Sequence, residues 1–106
     1  MSLDVELRNE EDVVFEWNIT HNLTKMAERA GCYMAVWRPF EVECFKASDI
    51  SQILMDSIQG MVKNKEYMEV FNPENGWGDY DGLLRFLCEY ASACYKHPDS
   101  MIWVSR

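Results

Sequence analysis

The side chains here that could do acid–base, nucleophilic or metal chemistry are two histidines, four cysteines and a scatter of carboxylates. His21 and His97 are separated by most of the chain, and His97 has an ordinary place at the end of a predicted helix. A Cys–His hydrolase needs a thiolate activated by a neighbouring imidazole. No family-type signature surrounds Cys32, Cys44, Cys88 or Cys94, and no pair has the C-x-x-C spacing of a zinc knuckle or redox site. Metal binding would have to bring His21 to Asp79 or Asp81 through folding, and the spacing gives no support for it. G-W-G at 76–78 lacks the lysine and the preceding strand of a phosphate loop. The inventory therefore predicts no catalytic residue, no metal and no cofactor, and leaves a small hydrolase with His21 as base as the one enzymatic alternative.

Two polar clusters with aromatic neighbours remain, W-N-I-T-H-N at 17–22 and N-P-E-N-G-W-G-D-Y at 72–80. Both lie at connections, where rigid elements can present side chains to a ligand. In the architectural reading Asn18, Thr20 and Asn22 cap a helix, Asn75-Gly76 supplies a positive φ, and Trp17 and Trp77 are core. In the binding reading the two clusters meet around a cleft. Trp17, Trp77 and Tyr80 are then stacking faces, and Asn18, Thr20, His21 and Asn75 hydrogen-bond a polar group. Asn22 and Asp79 border the same cleft, and Arg38 or Arg85 answers a phosphate or carboxylate.

A chain of 106 residues with 48% apolar residues forms one domain with its own core. A net charge of −8 argues against direct nucleic-acid binding, which needs clustered Lys and Arg, while permitting mimicry of a nucleic acid. Asp4, Glu6, Glu10, Glu11, Asp12 and Glu16 crowd the N-terminal region against Arg8 alone. The cysteines read as buried, reduced thiols. No stretch approaches the ~20 apolar residues of a membrane span, and M-S-L-D-V-E-L alternates instead of forming a leader. A cytoplasmic protein is expected.

The elements follow from period. Leu3, Val5 and Leu7 alternate with polar residues, as do Val13, Phe15, Trp17 and Ile19, which predicts a hairpin turning at N-E-E-D. A helix is expected from Asn22 to Ala30, ended by Gly31, and another from Ser48 or Asp49 to Lys63, with Asp49 and Gln52 spaced as a capping box. K-N-K-E-Y-M-E-V-F adds one or two helical turns. A third helix follows the glycine turn, capped by Asp79 or Asp81 and stopped by Pro98, and Met101–Val104 is a strand. Residues 32–45 show no clear period and read as irregular with one short extended piece. The resulting class is α+β, a small antiparallel sheet of the N-terminal hairpin plus the C-terminal strand packed against three helices. Val5, Phe15 and Ile102 are expected on its apolar face.

W-N-I-T-H-N, A-G near 30, W-R-P at 37–39, N-P-E-N-G-W-G-D-Y, H-P and the V-S-R ending together resemble a family of small uncharacterised bacteriophage and prophage proteins. The resemblance covers nearly the whole chain, and N-G-W-G-x-Y is its most specific part. It implies an accessory protein acting in the cytoplasm of a bacterial host, a class that binds host enzymes or sequesters nucleotide-derived defence signals. Two expectations result. One is a non-catalytic module whose polar, aromatic cleft takes a small polar or nucleotide-like ligand, countering a host defence. The other is an acidic inhibitor of a host nucleic-acid-binding protein.

Overall fold

The computed structural model describes all 106 residues. Strand β1, Ser2–Arg8, buries Leu3, Val5 and Leu7 completely and turns Ser2, Asp4, Glu6 and Arg8 to the other face. Strand β2, Val13–Thr20, pairs antiparallel with it in a register that sets Ile19, Trp17 and Phe15 opposite those three residues. The register slips where Leu7 faces Phe15 but Arg8 faces Val13, so Val14 sits in a bulge beside the hairpin loop. Strand β3, Met101–Ser105, joins the far side of β1, with Ile102 opposite Leu7 and Val104 opposite Val5. The order is β2-β1-β3. A lone hairpin is marginal in water, and the third strand gives β1 a partner on each side. The expected apolar face carries Val5, Phe15 and Ile102.

Five α-helices cover that face. Thr20 caps a short 3-10 turn, His21–Leu23, from which α1, Thr24–Ala30, continues until Gly31 ends it at φ +88°. Helix α2 is Tyr33–Trp37, followed by a 3-10 turn at Pro39–Val42. Helix α3 is Ala47–Lys63, α4 is Lys65–Glu69 and α5 is Tyr80–Lys96. Helices α3 and α5 form the main helix–helix contact, and α5 also lies against β2. There Phe15 stacks on Tyr90 at 5.2 Å and Trp17 tilts onto Phe86 at 5.9 Å. Ile50, Leu54 and Met61 of α3 and Leu83, Phe86 and Leu87 of α5 are fully buried, each worth about 1.5–3 kcal/mol of transfer energy.

Several details differ from expectation. Residues 32–45 are largely helical, because burying Ala35, Val36 and Trp37 outweighs the middling helix propensity of Val36 and Trp37, and the turn comes only at Arg38 before Pro39. Helix α3 starts at Ala47. Asp49 is its third residue, and its carboxylate accepts from the amides of Phe45 (2.9 Å) and Lys46 (3.0 Å), which lowers its pKa. Gln52 takes no part in that cap and donates instead to Asp56 at 2.8 Å. Cys32, Cys44 and Cys94 are buried, but Cys88 falls on the outward side of α5 and is exposed.

Candidate functional site

The two polar clusters do meet, at the glycine turn. Gly78 has φ +97°, and a Cβ there would lie 2.7 Å from the Thr20 methyl and 3.1 Å from Leu23 Cγ. Asn22 Nδ2 donates to the Trp77 carbonyl at 3.3 Å across the same seam. The turn is held by its own side chains. Asn75 Oδ1 accepts from the Trp77 amide (3.0 Å), Asn72 Oδ1 from the Tyr80 amide (2.7 Å), and Asp79 Oδ1 from the Gly82 amide (2.7 Å), capping α5.

The three aromatic residues go three ways. Tyr80 is buried and donates its hydroxyl to the Met61 carbonyl at 2.8 Å. Trp17 is half-buried on the inner sheet face against Phe86, and Trp77 is 72% exposed. Asn18 points to the outer sheet face, as strand alternation requires of the residue after Trp17, and donates to Ser2 Oγ and Asp4 Oδ1. Thr20 Oγ1 accepts from the Asn22 amide. The turn thus reaches Thr20, Asn22 and Leu23, while Asn18 lies on the outer sheet face and the Tyr80 side chain is in the core.

His21 and Arg38 are joined by a relay. Trp37, almost fully buried, donates its indole N–H to His21 Nδ1 at 3.0 Å and stacks on Tyr33 at 5.8 Å. The Tyr33 hydroxyl accepts from Arg38 Nε at 3.0 Å, and Arg38 also pairs with Glu41 at 2.8 Å. An N–H donated into Nδ1 requires that nitrogen to be unprotonated, so the proton of the neutral ring sits on Nε2. The hydrogen bond that would orient a catalytic histidine through a carboxylate is made here to an indole. Burial pushes the Cys32 and Cys94 thiols up to about 12, the opposite of activation. No group of three His, Cys, Asp or Glu side chains is placed to hold a metal ion.

The outer face of the sheet collects chemistry that the linear sequence only half announces. Asp4, Glu6, Glu16 and Asn18 line a shallow cleft of about 360 Å³ with Trp103 of β3. Arg8 donates to Glu6 at 2.7 Å and lies 4.4 Å from the centre of the Trp103 ring. At the hairpin end a wider depression of about 750 Å³ is lined by Glu10, Glu11, Asp12 and Asp99 around Arg8 and Met101. The N-terminal acids are visible as a run in the sequence. That Trp103 and Asp99 join them follows from β3 pairing with β1, which brings Trp103 opposite Glu6.

No helix is long and apolar enough to cross a membrane. No protein-family model, curated protein or solved structure matches the chain.

Proposed function

We propose that this protein is a non-catalytic interaction factor that uses its acidic sheet face and hairpin to occupy the basic surface of a nucleic-acid-binding protein. With the bacteriophage resemblance, the partner is a protein of the bacterial host. The observation that supports this reading is the grouping of Asp4, Glu6 and Glu16 around Trp103 on one open face, continued at the hairpin by Glu10, Glu11, Asp12 and Asp99. Arg8 is the single cation in either depression, and Glu6 already pairs with it. A face of this kind repels phosphate and attracts lysine and arginine, steering association in a salt-dependent way. Trp103 offers guanidinium or ammonium groups an aromatic surface, as Arg8 already demonstrates.

The small-ligand reading needs an anion or a base to enter a polar cleft. The cleft that contains Trp17 and Asn18 is walled by three carboxylates, which disfavour a nucleotide. The seam at Gly78 is closed by Thr20 and Leu23.

The test pairs two measurements. Affinity capture from bacterial lysate with the native chain should retain basic nucleic-acid-binding proteins that elute with salt. The Asp4→Asn, Glu6→Gln, Glu16→Gln triple variant should not retain them. In parallel, a thermal-shift screen with nucleotides and cyclic nucleotides should leave the melting temperature unchanged. A nucleotide that raises it by mass action would return the protein to the small-ligand class.

A further inference from the structure

We infer that β2 is a docking edge, and that the partner adds to it as an antiparallel strand whose basic side chains alternate with apolar ones. This docking mode presupposes the acidic-interaction reading above and specifies how the partner is held.

One bond fixes which backbone groups of β2 are free. The His21 amide donates to the Met1 carbonyl at 3.3 Å, continuing the ladder beyond Ser2 and Thr20. Bonded and non-bonded pairs alternate in an antiparallel ladder. The residues of β2 bonded to β1 are therefore Ile19, Trp17 and Phe15, and the N–H and C=O of Glu16 and Asn18 point away from the sheet. The same alternation on the other side says that the Ile102 amide points away from β1. There it is taken by the Phe45 carbonyl at 2.8 Å. The β3 edge is thus partly covered by residues 45–46, which also bridge Met101. No turn, cap or loop hydrogen bond reaches the backbone of Glu16 or Asn18.

Natural sheets protect such edges with proline, lysine, a bulge or an inward charge. From Phe15 to Thr20 β2 has no proline, lysine or inward charge, its one charged residue, Glu16, faces outward and repels only acidic strands, and its bulge at Val14 lies beyond the free segment. Six residues at about 3.3 Å each offer roughly 20 Å of open edge. Glu16 and Asn18 are exposed at its centre.

Charge selects the occupant. In an antiparallel addition, residues bonded to Glu16 and Asn18 place their side chains on the outer face beside those two residues, with Asp4 and Glu6 of β1 one strand, about 4.8 Å, further in, so lysine or arginine fits there. The alternate side chains fall on the inner side. There, at the Phe15 end, a groove of about 210 Å³ lined by Val14, Phe15, Glu89, Ser92, Ala93, Lys96 and His97 has room for a small side chain against Phe15 and Ala93. A second copy of this chain would bring −8 against −8 and set Glu16 near its own equivalent.

The test uses a capped peptide of about eight residues alternating Lys and Val, titrated at low salt, and two backbone N-methylated forms. Methyl groups on the lysine amides should weaken binding about tenfold or more, because those amides face β2. Methyl groups on the valine amides should leave binding unchanged, and Glu16→Lys should weaken the unmodified peptide. Equal binding of both methylated forms would overturn the edge while leaving charge-driven interaction intact. No binding of the unmodified peptide would also overturn it, and the lysate capture would still decide the acidic reading separately. Sedimentation showing a dimer that Asn18→Pro disperses would replace the partner strand with a second copy.

Discussion

Gly76 and Gly78 flank the same tryptophan and both have positive φ, yet they should respond very differently to one added methyl group. At Gly76, φ +76°, a Cβ meets nothing within 4 Å, so Gly76→Ala carries only the left-handed strain of about 1–2 kcal/mol. At Gly78, φ +97°, the same methyl would stand 2.7 Å from Thr20 Cγ2 and 3.1 Å from Leu23 Cγ. Thr20 cannot swing aside freely, because its hydroxyl holds the Asn22 amide, and Leu23 is buried. Overpacking adds about 1–3 kcal/mol, so Gly78→Ala should cost roughly 2–5 kcal/mol in all. For a domain of this size each kcal/mol moves Tm by about 4 °C. Thermal unfolding followed by circular dichroism should therefore place the Gly78 variant well below the Gly76 variant. Thr20→Ser removes the offending methyl and keeps the capping oxygen, so the double variant should recover part of the loss, a coupling that only contacting residues show. Equal Tm values for the two glycine variants, or strict additivity with Thr20→Ser, would mean that the turn does not rest on Thr20.

Tyr90 has a buried hydroxyl with no hydrogen-bond partner, so Tyr90→Phe should raise stability by about 1 kcal/mol in denaturant unfolding, and a loss of that size would reveal a partner for the hydroxyl. Asp49 has a folded pKa below its ordinary 3.8, held there by the Phe45 and Lys46 amides. Its contribution is complete above the unfolded value and disappears as pH falls through the lower folded one. The stability difference between the native chain and Asp49→Ala should accordingly be constant near neutral pH and shrink in acid, and a difference that grows in acid would contradict the cap. Among the four thiols, Cys88 alone is exposed, so a thiol-reactive dye should modify it first under native conditions, with Cys32 and Cys94 protected until unfolding. Equal rates at all four would contradict the helix register of α5.

Much of the fold was legible because its strands and long helices each have one dry and one wet face. Leu3-Val5-Leu7 admits only a period of two, and Leu83-Leu87-Tyr90-Cys94 only a helical one. Met101–Val104 could be assigned to the hairpin sheet because no other strand was there to complete it. Residues 32–45 resisted for the opposite reason. Ala35, Val36 and Trp37 are consecutive and all buried, a short helix enclosed on most sides, and such a run carries no period to read.

The site was harder, since aromatic residue types do not announce which side of the surface they occupy. Trp77 and Tyr80 stand three residues apart, and the larger one is outside while the smaller is inside. Tyr80 opens α5, where its hydroxyl can reach the Met61 carbonyl, whereas the positive-φ glycines let the turn lie on Thr20 without enclosing the indole between them. The acidic face had the reverse difficulty. Its carboxylates are evident along residues 4–16, but the strand order that puts Trp103 among them is a property of long-range pairing. The open edge is further still from the sequence, because Glu16 and Asn18 are free only if β1 lies in the middle. Had β2 taken the central place, the N–H and C=O of these two residues would be bonded to a second neighbouring strand, and the acidic strand would have had no backbone left to offer a partner.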